Sequence, residues 1–332
     1  MLKGRLTGRH FVPSLLLSLS ALAFSGAALA EQPQQPVAQA PAAAAEPPVP
    51  LLWKASAGER SVYLLGSFHL LKPDDYPLSP DVDAAFADSG AVVFEIPPAE
   101  LQSPELGMKM GQAAMRTDGT PLDSALPEET AAALQAWTEE NAETLQQMQL
   151  PPQVRQMFHP WLGSLMVTVT EMGKYGLNPD LGLDNHVANR AAEAGKPTSG
   201  LETSEQQIAL FTGMTPEEQV QFLQSSLEST GEEGRAEIGR LHDAWRSGNA
   251  QFLWDEMAVE MRNEFPAVYQ RINVDRNDAW VPQLEAMLAP DGSGNTLVVV
   301  GALHLVGEDG VVEKLQAKGY EGERSCTACA GE

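Results

Sequence analysis

"LLGSFHLL", residues 64–71, ends a short apolar run in a turn that presents a histidine, and "VVVGALHLV", residues 298–306, repeats the layout far along the chain. Each sets a glycine three positions before the histidine: Gly66 and His69, then Gly301 and His304. The same spacing recurs at Gly239 and His242 in "EIGRLHDAW". With 28 glycines and 6 histidines in 332 residues, chance alone supplies roughly half a Gly-x-x-His, so context and not spacing must decide. Gly239 and His242 fall within the helical period Ile238, Leu241, His242, Trp245, where His242 edges an amphipathic face. Gly66 and Gly301 follow apolar strands instead. Glycine there permits a positive φ or a close backbone approach, so the chain can bend sharply and present the next imidazole. Parallel strands open their carboxyl ends onto a ligand crevice. If these two strands are neighbours, both imidazoles reach one rim; otherwise they are ordinary loop histidines.

Working outward, four segments read as buried strands: "SVYLL" (61–65), "AVVFEI" (91–96), "PTSGLE" (197–202) and "TLVVV" (296–300). Helical stretches lie between them. "PEETAAALQAWTEENAETLQQMQL" reads as one Ala-rich helix, and "FHPWLGSLMVTVTEMGKYG" is apolar enough to be buried. "DNHVANRAAEAGK" opens on Asp184 as N-cap and stops at Gly195, and Thr203 with Gln206 makes a capping box. Residues 216–270 read as two or three helices, 275–288 as another, and "GEDGVVEKLQAKGY" as the last. The class is α/β or α+β: a central sheet with a large helical insertion between two strand-bearing ends.

Glu95 stands at the carboxyl end of "AVVFEIPP", before Pro97 and Pro98 stop the sheet. A carboxylate in so apolar a stretch needs water, a partner or a metal. Two imidazoles and a carboxylate (His69, His304 and Glu95) suit Zn²⁺, Mn²⁺ or Co²⁺ with positions left open for water and substrate. Such an ion lowers the pKa of bound water and polarises a carbonyl. Glu95 is then a ligand, or the general base beside the metal. Asp184 reads as the N-cap and not as a ligand, and His159 and His186 read as structural. No Gly-x-Ser-x-Gly elbow, Walker loop, dinucleotide fingerprint or His-Glu-x-x-His helix occurs.

Lys3, Arg5 and Arg9 precede an apolar stretch that ends in Ala28-Leu29-Ala30, the pattern of a cleaved leader at residues 1–30; a retained anchor is the alternative. Residues 31–50, rich in Pro, Ala and Gln, read as a solvated spacer. The leader holds three bases and no acids, so its removal takes the net charge from −24 to −27. That balance disfavours nucleic acid and anionic membrane surfaces as partners. Cys326 and Cys329 in "CTAC" are too few for a structural zinc. In an exported protein they suit a local disulfide in a loose tail, residues 324–332.

The set "LLGSFHLL", "VVFEI", "GLDNHVANRAAEAGKPTSGLETSEQQ", "DRN" and "VVVGALHLVGEDGVVEKLQAKGY" resembles the TraB/GumN proteins, whose animal relatives include the Tiki metalloproteases. The resemblance spans about Leu51 to Tyr320 and places that domain at residues 51–323. It implies a fold related to the erythromycin-esterase and ChaN-like proteins, and a metal-dependent site at His69, His304 and Glu95. In its light Glu202 could orient a metal-bound histidine, or be a helix-entry acid. Arg276 and Asn277 could stabilise an oxyanion or pair with Glu95, or form a structural ion pair or cap. The expectation is an exported, periplasmic, peptidase-like metal-dependent hydrolase without a stable membrane anchor after processing, acting on a peptide or protein. The alternative is a non-catalytic protein that sequesters a peptide or a haem-like ligand.

Overall fold

The computed structural model describes residues 46–290, 292 and 294–329. The leader read at residues 1–30 and the spacer up to residue 45 lie outside the described residues. Six strands form one sheet: β1 (Leu52–Ala57), β2 (Arg60–Ser67), β3 (Ala91–Phe94), β4 (Thr198–Gly200), β5 (Thr296–Gly301) and β6 (Glu321–Arg324). Their order is β4-β3-β5-β2-β1-β6. β4, β3, β5 and β2 run parallel; β1 lies antiparallel to β2, and β6, antiparallel to β1, closes that edge. The architecture is therefore mixed α/β.

The parallel core reads as continuous apolar sequence because both its faces are covered. Along β2 and β5 alternate residues serve different cores. Leu64, Val298 and Val300 face Trp280, Leu284, Val311 and Leu315, and Leu65, Leu297 and Val299 face the larger helical side. That larger side gathers residues from α1 (Pro80–Asp88), α2 (Pro104–Ala114), α3 (Glu128–Glu140), α4 (Pro160–Lys174), α5 (Leu183–Glu193), α6 (Ser204–Thr212), α7 (Pro216–Glu228) and α8 (Gly231–Arg246). α9 (Asp275–Leu288) and α10 (Val311–Ala317) cover the other side. Most of the helices enter in two blocks, between β3 and β4 and between β4 and β5. Among the described residues no helix is long and apolar enough to cross a membrane.

Several expectations need correction. β1 and β6 were not foreseen: "LWKASA" has only small alanines as apolar residues after its first two, and "EGER" has no apolar side chain. β6 is held by its ladder to β1, and the Arg324 guanidinium stacks 4.5 Å from the centre of the Trp53 ring. The single helix expected from residue 127 to 150 breaks at Asn141 into α3 and a short turn of helix, Ala142–Gln147. Residues 46–50 are not free spacer. Pro48 and Pro50 are buried, the Val49 N–H donates to the Arg246 carbonyl at 2.7 Å, and Arg324 donates to the Pro50 carbonyl at 2.6 Å. Nor does the C-terminal segment hang loose. It carries the Cys326–Cys329 disulfide, the Ser325 N–H donates to the Leu52 carbonyl at 2.8 Å, and the Thr327 N–H donates to Asp81 at 2.9 Å.

These contacts predict that a chain starting at Leu51 is less stable than one starting at Glu46, by about 1–3 kcal/mol for the backbone bonds lost. Urea denaturation of the two forms measures the difference, and coincident midpoints would refute it.

Candidate functional site

Parallel pairing sets the two motifs side by side, with Gly66 opposite Val300 and Ser67 opposite Gly301. β3 joins the same rim through Phe94 opposite Val299, and β4 through Gly200 opposite Phe94. His69, Glu95, Glu202 and His304 therefore follow four neighbouring strand ends. Gly66 allows close packing: a Cβ there would lie 3.0 Å from the Leu51 Cβ and 3.2 Å from the Ala302 Cα. Neither Gly66 nor Gly301 adopts a positive φ; after Gly301 the chain turns instead through a 3-10 turn, Ala302–His304.

His69 is 8% exposed. Its Nδ1 lies 2.5 Å from Asp184 Oδ2, which also accepts from the Ser67 hydroxyl at 2.6 Å. Asp184 is thus not the N-cap; Gly182 holds that place, and Asp184 in the first turn of α5 reaches back to the histidine. A side chain at Gly182 would begin 2.1 Å from the His69 carbonyl oxygen, so only glycine lets α5 start this close. With Nδ1 donating to a carboxylate, Nε2 carries the lone pair. That atom is buried, has no hydrogen-bond partner and faces Glu95 Oε1 at 3.9 Å.

Glu95 is fully buried and held by three donors. The Gly301 N–H donates to Oε1 at 2.7 Å, and Gln207 and Arg276 donate to Oε2 at 2.9 and 2.6 Å. Arg276 opens α9 directly after a π-helical turn, Gln270–Val274. It also binds Glu202 through Nε at 3.1 Å to both oxygens and through Nη2 at 2.5 Å. Its Nη1 donates to His304 Nε2 at 2.9 Å. Arginine only donates, so His304 must accept there and donate from Nδ1, which lies 2.7 Å from Asn277 Oδ1. Asn277 is locked in turn by its Nδ2 bond to the Asp309 carbonyl at 2.8 Å.

The network joins His69, Glu95, His304, Glu202, Arg276 and Asn277. Glu202 does not orient a histidine, however; it pairs with Arg276 and accepts from Gln207 at 2.8 Å. The orienting partners are Asp184 for His69 and Asn277 for His304. Ser67, Asp184 and Gln207 were missed as members, although all three lie in or beside the quoted motifs. His186 packs against the Tyr76 ring, the His159 N–H donates to the Ala114 carbonyl at 2.8 Å, and His242 bonds elsewhere, to Asp75.

The three residues expected to bind a metal do not form a ligand set in this arrangement. His304 points its ring nitrogens at Arg276 and Asn277, and a guanidinium stands between it and Glu95. Among the described residues no group of three or more His, Cys, Asp or Glu is disposed to hold an ion. Burial lowers the His69 pKa, but the charge and hydrogen bond of Asp184, with Glu95 behind them, outweigh it and the nearby Arg276, so the net shift is upward. Burial pushes Asp184 up, yet His69 and Ser67 bring it below the carboxylate range. Burial pulls Arg276 down, and Glu202 and Glu95 more than restore it.

The sequence pattern of the TraB/PrgY/gumN family matches residues 51–324. The chain belongs to that family. It is similar to the uncharacterized protein YbaP of Escherichia coli (strain K12), with 25% identity over 260 residues that cover 78% of this chain and 89% of YbaP. YbaP of Shigella flexneri aligns to the same extent. No solved structure matches the chain significantly. As a TraB/PrgY/gumN chain, it draws the motifs that carry its resemblance into one buried network.

The two shifts fix a pH signature. His69 stabilises the fold below its ordinary value of 6.5, and that contribution is lost as pH rises through its higher folded value. Asp184 stabilises above its ordinary 3.8, and its contribution is lost as pH falls through its lower folded value. Both operate fully between those ordinary values. Asp184→Asn is therefore expected to cost most, about 3–5 kcal/mol for a broken buried pair, between pH 4 and 6.5. Denaturant midpoints across pH test this, and a penalty independent of pH would contradict the pairing.

Proposed function

We propose that this chain is a hydrolase in which His69, oriented by Asp184, deprotonates a water molecule for attack on a carbonyl. The observation that carries the reading is the orphaned, buried Nε2 of His69, whose other nitrogen is clamped 2.5 Å from Asp184. A raised pKa makes that nitrogen a stronger base. Water seated between Nε2 and Glu95 Oε1 would give its proton to Nε2 while its oxygen adds to the carbonyl carbon. The imidazolium formed is offset by Asp184 and Glu95, and it returns the proton to the leaving group as the tetrahedral intermediate collapses. Arg276, bound to Glu95, would offset the developing charge. Glu95 holds water in this scheme and His304 supports Arg276.

Peptide or protein substrates follow from the resemblance to the peptidase members of the family, as does kinship with the erythromycin-esterase and ChaN-like fold. The leader pattern at residues 1–30 supports export, to the periplasm in a bacterial cell.

The test is a peptide-library cleavage assay with the variants run beside the native chain. His69→Ala should lower kcat by roughly 10²–10⁴, the usual range for a lost general base. Asp184→Asn should lower kcat and also move the acid limb of the rate profile to lower pH, because the charge that raises the His69 pKa is gone. Unchanged turnover in both variants would end the hydrolase reading in favour of a binding protein. Activity abolished by a chelator and restored by Mn²⁺, Co²⁺ or Zn²⁺ would replace the His69 base with metal-dependent hydrolysis.

A further inference from the structure

The third Gly-x-x-His, which has no part in the network above, sits against the segment that carries His69. α8 presents His242, Trp245 and Arg246 to residues 66–75. The Trp245 Nε1–H donates to the Gly66 carbonyl at 3.0 Å. Phe68, the residue before His69, is buried with its ring centre 5.9 Å from that of His242 and 6.1 Å from that of Trp245. His242 Nε2 lies 2.9 Å from Asp75 Oδ2, and the same oxygen accepts the Lys72 N–H at 2.7 Å. Asp75 is fully buried and its other oxygen pairs with Arg246. Gly239 has a packing role, since a Cβ there would lie 3.1 Å from the hydroxyl of Tyr175, whose ring edges His242. The motif that chance could supply is therefore a second buried Asp–His pair, bonded to the far end of the loop that holds the first.

We propose that Asp75, His242 and Trp245 form a positioning device for His69, holding residues 66–75 so that its imidazole meets Asp184 at hydrogen-bond distance. The loop is fixed at Gly66 by Trp245, at Phe68 by ring contacts and by the Leu183 N–H on its carbonyl at 3.2 Å, and at Lys72 by Asp75. His69 lies between those anchors. A buried hydrogen bond weakens steeply with length and misalignment, so slack in the anchors reaches the His69–Asp184 contact first. His242 and Trp245 do not touch the water or carbonyl positions of the proposed reaction, so their role is positional. The catalytic consequence rests on the hydrolase reading; the geometric claim does not.

The experiment therefore reads the resting protein. A ¹H–¹⁵N correlation spectrum of the histidine rings should show a far-downfield, slowly exchanging Nδ1 proton for His69, assigned by its loss in His69→Gln and in Asp184→Asn. Trp245→Phe and His242→Phe should each broaden or abolish that signal while the amide spectrum stays folded. His242→Gln, which keeps an N–H donor for Asp75, should recover it. Leu284→Ala, a truncation in the core on the other side of the sheet, is a control for general loss of stability and should leave the proton in place. An unchanged His69 proton in folded Trp245→Phe would overturn the proposal, and so would equal loss in Leu284→Ala. Should His242→Phe fail to fold, the milder Trp245→Phe decides alone. With an active substrate, Trp245→Phe should lower kcat by up to about 10²-fold, the usual cost of a misplaced catalytic group, with little change in KM. If the proton behaves as expected but His69→Ala hydrolyses normally, the hydrolase reading fails and the positioning claim stands.

Discussion

Everything at the rim depends on the parallel pairing of β2 with β5. The two strands are joined only by the rest of the fold, yet their register sets Ser67 against Gly301 and so decides where both histidine turns emerge. A slip of one residue by either strand would invert the apolar faces of that strand and drive Leu64 or Val298 into the wrong core. The pairing is thus pinned from above and below by packing. It places an N–H of one motif, that of Gly301, on the carboxylate of β3. A strand end that would otherwise leave this donor bare uses it to hold Glu95.

Arg276 performs the second joining. Its one guanidinium contacts Glu95, Glu202, the Ile272 carbonyl and His304. A buried carboxylate pair without it would repel and would have to take up protons or water. Because arginine keeps its proton and presents a rigid fork, lysine could not hold the same set of acceptors. The π-helical turn before α9 shifts the helical phase locally at the point where this side chain must turn inward. Asp184 and His69 form a separate pair on the other side of Glu95, so the cluster divides into a half built round the Arg276 guanidinium and a half built on the Asp184–His69 pair.

The central strands were legible because continuous apolar runs bounded by glycine and proline leave few alternatives. Strand-end placement and the resemblance singled out His69, Glu95, His304, Glu202, Arg276 and Asn277, though as a metal site and its neighbours and not as the network centred on Arg276. Asp184 was misassigned for a local reason: an acid beside a helix start is the ordinary composition of an N-cap, whereas its partner lies 115 residues away. Glu202 was read as a histidine's partner or a helix-entry acid because nothing in "GLETSEQQ" reveals an arginine 74 residues on. β6 was invisible because an edge strand can be held by its ladder and by one guanidinium over a ring, with no apolar side chain of its own.

The antiparallel additions also govern how the molecule would respond to force. β1 begins where β6 ends, with Trp53 opposite Arg324, so a load applied through the two ends of the described chain meets adjacent strands at the same edge of their ladder. In that geometry the hydrogen bonds do not share the load; they open one after another, as a zip does. The bonds of Thr327 to Asp81 and of Ser325 to Leu52, with those of Arg324 to the carbonyls of Pro50 and Gly248, stand at the head of the row and act as its catch. Beyond it β6 would peel from β1 at low force, while the parallel strands that carry the histidine turns would remain seated.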